Sequence, residues 1–219
     1  MRAIVISLKD SKRRAFLKQN FGDVEIFDAV HGVSEIQEQE DELIVRGDIR
    51  IPLDRALSQA TRGKQLGKGQ LGCAVSHFLL WKALAESSEP AFLIMEDDAR
   101  IHRPQFELAM RNLPAPADII YLQDQDLRSN APPRERSRYN DFFYRTEGGV
   151  AGAIAYILYR DYARTLVNGF RMAHGADGAL GRSFRERPEV RVYYMYEPCV
   201  CLTELNDVSD IGNIAAITR

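Results

Sequence analysis

Cysteine is scarce in this chain: 219 residues hold three, Cys73, Cys199 and Cys201, an odd number with two of them one residue apart. This excludes a disulfide framework and points to a reducing compartment. Cys199-Val200-Cys201 has no second pair to complete a zinc ribbon, so buried inert thiols are the simpler reading. A surplus of one charge is also missing. Twenty-nine Lys and Arg stand against 31 Asp and Glu, a formal charge of −2, so the electrostatic case for a nucleic-acid partner is gone. Long hydrophobic runs are absent as well: the apolar stretch at 150–159 falls short of the roughly 18 residues a membrane span needs. The apolar run at 3–6 is too short for a secretory signal and has no cleavage site after it. These absences predict a cytoplasmic protein with at most peripheral membrane contact.

What is present is globular. With 45% hydrophobic and 27% charged residues, a chain of this length buries about 70% of its unfolded surface and needs no staples. One domain over 1–219 is expected. Residues 1–9 read as a first strand, Ser11 as a cap for a helix through Leu17, and 24–30, with period-two alternation, as a second strand. The acidic stretch from 35 and the mixed stretch to Gly63 read as loop with short helices. A helix is predicted over 71–86, with Cys73, His77, Leu80, Trp81 and Leu84 at helical spacing. Ala91-Phe92-Leu93-Ile94-Met95 is the continuous apolar run of a doubly buried parallel strand. A helix over 105–113, a strand at 119–122, a mobile loop over 128–145, a strand at 152–159, a helix over 161–167 and a strand region at 190–202 complete the pattern. Strands alternating with helices indicate an α/β layer fold with a mainly parallel central sheet flanked by helices.

The literal G-x-G-x-x-G at 67–72 follows no buried strand, so it is not a dinucleotide fingerprint, and Gly69 stands where a P-loop needs Ser or Thr. Glu96-Asp97-Asp98 is more informative, because three acids end a buried strand where α/β sheets place ligands. In extended backbone Glu96 and Asp98 point to one side and Asp97 to the other, and hard oxygens suit Mg²⁺ or Mn²⁺. Solvated acids capping a turn are the plain alternative. Asp124-Gln125-Asp126 is a rival acidic pair after another apolar strand, or an Asx-turn. His77 and Trp81 share one helix face, and no second histidine has metal spacing with His77, so a structural or supporting role is expected for it.

Several segments together resemble glycosyltransferase family 25, which includes bacterial lipooligosaccharide galactosyltransferases and procollagen galactosyltransferases. They are Val5-Ile6-Ser7-Leu8 with Arg13-Arg14; Phe27-Asp28-Ala29; Gly72-Cys73-Ala74-Val75-Ser76-His77 with Leu80-Trp81-Lys82; Met95-Glu96-Asp97-Asp98-Ala99; 152–160; Asp177; and Ser209-Asp210-Ile211. The resemblance implies a GT-A-like fold and inverting transfer of a hexose, most often galactose from UDP-galactose, to a hydroxyl of a lipopolysaccharide or lipooligosaccharide acceptor. It places the ion, Mn²⁺ or Mg²⁺, on Glu96 and Asp98, and the UDP-sugar near Ser7, Leu8, Arg13, Arg14, Asp28, Ala29, His77 and Asp97. Asp177 is the candidate general base, with a second metal-ligand role as its alternative. The chain departs from the family's common pattern at His31-Gly32 and at Gly175-Ala176-Asp177. The basic C-terminal extension of several bacterial relatives is missing, which speaks against tight membrane attachment; the expected place is the cytoplasm, at most at the inner face of the bacterial inner membrane. Two further classes stay open: a metal-dependent sugar-nucleotide phosphohydrolase and an inactive sugar-nucleotide binding module. The arginines and aromatics of 128–145 read as a lid over an anionic acceptor, or as a solvated loop.

Overall fold

A computed structural model describes residues 1–63, 65–123, 136–146 and 152–202. Its elements run β1 (Arg2–Ser7), α1 (Arg14–Phe21), β2 (Glu25–Asp28), β3 (Ile36–Gln39), β4 (Glu42–Val45), β5 (Ile49–Pro52), α2 (Arg55–Arg62) and α3 (Lys68–Glu86). They continue with β6 (Ala91–Glu96), β7 (Ala99–Ile101), α4 (Arg103–Arg111), β8 (Ile119–Tyr121), β9 (Arg136–Arg138), β10 (Phe143–Thr146), β11 (Ala155–Tyr159), α5 (Arg160–Val167), α6 (Ala176–Glu186), β12 (Val192–Met195) and β13 (Val200–Leu202).

The central sheet has eight strands in the order β2-β1-β6-β11-β8-β12-β10-β9. β2, β1 and β6 pair in parallel, as do β8 and β12, while β11 and β10 run against their neighbours. Six strands therefore share one direction, and the expected α/β sheet flanked by helices is the one found.

Strand alternation divides the core into two layers. Ile4, Ile6, Phe92, Ile94, Tyr156 and Leu158 face α3, α5 and α6, where they meet Leu80, Trp81, Leu84, Ala163, Leu180 and Phe184. Val5, Leu93, Met95 and Ile157 face the other way, toward Leu17 and Phe21 of α1 and Ala109 of α4. Because β6 is covered on both faces, its sequence is unbroken apolar residue until Glu96.

The stretch from 35 to 63, expected as loop with short helices, holds one short helix, α2, but the part before it is the antiparallel meander β3-β4-β5. Ile36, Leu43, Val45 and Ile51 are buried in it against Leu71, Ala74 and Val75 of α3. β4 buries Leu43, Ile44 and Val45 in succession, whereas the edge strands β3 and β5 bury one residue each, Ile36 and Ile51, among largely polar neighbours. Residues 136–146, expected within a loop, form the β9–β10 hairpin at the sheet edge. It lies four strands from β6, roughly 19 Å at 4.8 Å per strand, so this part of the segment does not cover the acids at 96–98. The remainder of the proposed lid, and Asp124 and Asp126 with it, lie outside the described residues.

One backbone contact ties the meander to the sheet. The loop after β2 crosses α3 so closely that a Cβ on Gly32 would come to 1.8 Å from Lys68 O, and one on Gly72 to 2.5 Å from Val30 O. Ser76 Oγ accepts from Val30 N–H (2.8 Å) and donates to Gly72 O (2.7 Å), which fixes the crossing. Gly72→Ala is therefore expected to lower unfolding free energy by about 1–3 kcal/mol or more. Gly67→Ala, whose added carbon meets only Gln70 Oε1 at 3.8 Å, is expected to cost well under about 1 kcal/mol. Urea denaturation of the two variants checks the contrast.

Candidate active site

β1 and β6 lie side by side with Ile6 opposite Glu96, so both chains leave the sheet at the same edge. Leu8 and Asp97 follow immediately. Glycine at 32 and 72 lets the loop after β2 close a third wall, and the start of α3 forms a fourth. The resulting cleft encloses about 160 Å³ and is lined by Ser7, Leu8, Arg13, Ala29, His77 and all of Glu96, Asp97 and Asp98, among others. It sits at the carboxyl ends of parallel strands, where sheets of this class bind ligands.

Asp97 and Asp98 form a turn between β6 and β7, so the strict alternation expected of an extended segment does not apply. Each acid is held differently. Asp97 Oδ2 accepts from Ser7 Oγ at 2.6 Å, and its Oδ1 accepts from Arg13 Nη1 at 2.8 Å. Glu96 Oε1 lies 3.0 Å from His77 Nε2 and 3.8 Å from the Cys73 thiol. Asp98 Oδ2 is 4.0 Å from Arg13 Nη1, and its Oδ1 is buried with no hydrogen-bond partner among the described residues. Burial, then the charge of Glu96, pushes the Asp98 carboxyl up to about 7, against the pull of Arg13. Among the described residues, three carboxylates share the cleft with one guanidinium and a buried oxygen without a partner, a donor set that fits a hard divalent cation.

Arg14 does not line the cleft. Its guanidinium donates to Leu8 O and Ser7 O, both at 2.8 Å, and to Asp28 Oδ1 at 2.5 Å. Arg14 and Asp28 thus clamp the end of β1 to β2, and Arg13 is the arginine the cleft receives. Ser11 Oγ accepts from Arg13 N–H, so the predicted cap sits just ahead of α1, which begins at Arg14. Asp177, expected in a loop, stands in the first turn of α6, where its Oδ1 accepts from Gly178 N–H at 2.8 Å. The helix end suits a carboxylate, because the macrodipole is positive there. Asp177 is not on the cleft wall, but its charge is felt by Cys73, whose thiol is raised first by burial, then by Glu96 and Asp177.

Sequence reasoning missed Cys73, which lies on the wall one helical turn before His77, and the C-x₃-H spacing was the available signal. It also missed Tyr156, whose hydroxyl meets both His77 Nδ1 and Trp81 Nε1 at 2.8 Å. Nothing in a lone strand tyrosine announces such a contact.

Residues 1–176 match the sequence profile of glycosyltransferase family 25 (LPS biosynthesis protein). The chain belongs to glycosyltransferase family 25. Among curated relatives, Procollagen galactosyltransferase 1 of Danio rerio is 28% identical over 105 residues, 42% of this chain and 17% of the relative. Procollagen galactosyltransferase 1-A of Xenopus laevis is 26% identical over 118 residues, 50% of this chain and 18% of the relative. This family 25 chain therefore matches less than a fifth of the length of either. Among solved structures, mouse xyloside xylosyltransferase 1 in its apo form aligns over 86% of this chain and 70% of its own, at 13% identity and a TM-score of 0.37.

The raised Asp98 carboxyl has a consequence for stability without added cation. Its folded pKa of about 7 lies above the unfolded value of 3.8, so between these values the folded state holds a proton the unfolded state has lost. Stability is expected to fall as pH rises from about 4 through 7, in metal-free buffer. Asp98→Asn removes the titrating group, and urea melts across this range are expected to show a flatter pH dependence for that variant.

Proposed function

We propose that this family 25 domain transfers a hexose, galactose in the first instance, from a UDP-sugar to a hydroxyl of a cell-surface glycan acceptor with inversion at the anomeric carbon. The observation that carries the reading is Asp98 Oδ1, buried and without a hydrogen-bond partner among the described residues, beside Glu96 in a cleft that also presents Arg13. Glu96 and Asp98 are the proposed ligands of Mn²⁺ or Mg²⁺, and a bound divalent ion would neutralise charge growing on the diphosphate oxygens.

The chain's own residues do the rest in this reading. Asp97, fixed by Ser7, holds Arg13 at the cleft, where its guanidinium can pair with diphosphate oxygens. Leu8, Ala29 and the loop to Val33 give the apolar wall against which a nucleoside packs. Asp177 accepts the proton of the acceptor hydroxyl as its oxygen bonds to the anomeric carbon, and the bond to the diphosphate breaks with its electron pair leaving on UDP. The support for Asp177 is its place on α6, which packs on α3, and its electrostatic reach to Cys73. Among the described residues no helix is long and apolar enough to cross a membrane. A lipid-linked acceptor reached at the inner face of the bacterial inner membrane is the setting we propose.

The test is UDP release from a panel of UDP-hexoses with Mn²⁺, with and without lipooligosaccharide acceptors. Acceptor-dependent release is expected. Asp98→Asn is expected to lower it about a hundredfold or more with folding retained, corresponding to loss of several kcal/mol of charge stabilisation. Asp124→Asn and Asp126→Asn are expected to keep activity. Equal release with and without acceptor would make the protein a hydrolase instead.

A further inference from the structure

We infer that Tyr156 is a positioning residue for Glu96, acting through the ring of His77; the inference rests on the reading of Glu96 as a metal ligand. Tyr156 and His77 are fully buried, with ring centroids 5.8 Å apart and planes 22° from parallel. Trp81 lies against the same pair, its ring 6.4 Å from that of His77. None of the three side chains has freedom to reorient without disturbing the core between α3 and the sheet.

Counting protons gives the direction of every bond. An indole N–H only donates, so Tyr156 O accepts from Trp81 Nε1–H. The phenol then has one proton to place, and among the described residues His77 Nδ1 is the acceptor within reach, at 2.8 Å. Were Nδ1 to carry hydrogen instead, Tyr156 O would accept twice and its own proton would be buried without a partner, at a cost of about 1–3 kcal/mol. His77 is therefore the Nε2–H tautomer. It donates from Nε2 to Glu96 Oε1 at 3.0 Å. The relay runs from Trp81 through Tyr156 and His77 to Glu96, and it occupies Oε1, leaving Oε2 for a cation. The same count disfavours a soft-metal site on Cys73, His77 and Glu96, although their ligand atoms lie within 4.8 Å of one another. A metal on Nε2 would force the proton onto Nδ1 and strand the Tyr156 hydroxyl.

Outer partners that orient ligands typically change metal affinity 10–100-fold when lost. Tyr156→Phe keeps the ring and removes only the hydroxyl, so His77 is no longer held in one tautomer. Trp81→Phe is the contrast: it removes a donor to Tyr156 but leaves the step from Tyr156 to His77 intact. Mn²⁺ binding to the full chain, read from the loss of the free-ion paramagnetic resonance signal, is expected to weaken about tenfold to hundredfold in Tyr156→Phe and to stay within about twofold in Trp81→Phe. Both are expected to melt at lower temperature than the wild type, so stability alone does not separate them. Long-range proton–nitrogen NMR of the wild-type imidazoles is expected to show His77 with hydrogen on Nε2, which decides the point even if Tyr156→Phe fails to fold. Hydrogen on Nδ1, or wild-type Mn²⁺ affinity in Tyr156→Phe, would overturn the relay alone. No Mn²⁺ binding by the wild type would overturn the ligand role of Glu96 and, with it, this role for Tyr156.

Discussion

The ion pair between Arg13 and Asp97 is the contact on which the arrangement of the cleft depends. Three consecutive carboxylates at the rim of a sheet repel one another, and Arg13 lies 2.8 Å from Asp97 and 4.0 Å from Asp98. Arg13 reaches Asp97 because the turns of residues 8–13, between β1 and α1, bring it back over the strand end. Ser7 completes the hold from inside β1. With Asp97 paired to Arg13 and Glu96 hydrogen-bonded to His77, Asp98 is the acid of the three whose buried Oδ1 has no partner among the described residues. That one position, buried and short of a partner, is where a bound cation would relieve the most electrostatic strain.

Much of this was readable in the chain, for physical reasons that differ by element. β6 announced itself because a strand covered on both faces tolerates no polar residue until it leaves the sheet, and the abrupt change from Met95 to Glu96 marks that exit. α3 was legible from the spacing of His77, Leu80, Trp81 and Leu84. The meander β3-β4-β5 was not, since its edge strands β3 and β5 carry one buried residue each among polar or exposed ones and so resemble loop. Asp177 was misplaced into a loop because Gly175 and Gly178 flank it, whereas Gly175 serves as the N-cap of α6. Partnerships across the sheet, such as Tyr156 with His77 at a separation of 79 residues, leave no local pattern to read.

The two halves of the proposed chemistry stand on different ground. Ser7, Arg13, His77 and the acids at 96–98 all fall within the stretch that matches the family profile, which ends at Ala176. Asp177 is the next residue. Yet the chain beyond that point is integral to the fold: β12 lies between β8 and β10 in the central sheet, and β13 pairs with β7 directly after the acidic turn. α6, β12 and β13 thus complete the scaffold that the matched stretch begins.

The central claim is that the acids ending β6 form the ion site and the cleft beside them the nucleotide site. Crystals grown with Mn²⁺ and UDP, measured at the manganese absorption edge, test both at once. An anomalous peak at coordination distance from Asp98 and Glu96, with UDP phosphates beside Arg13 and the nucleoside against Leu8 and Ala29, is the result predicted. A peak at other ligands, at Asp124 and Asp126 for example, or UDP bound away from this cleft, would contradict it.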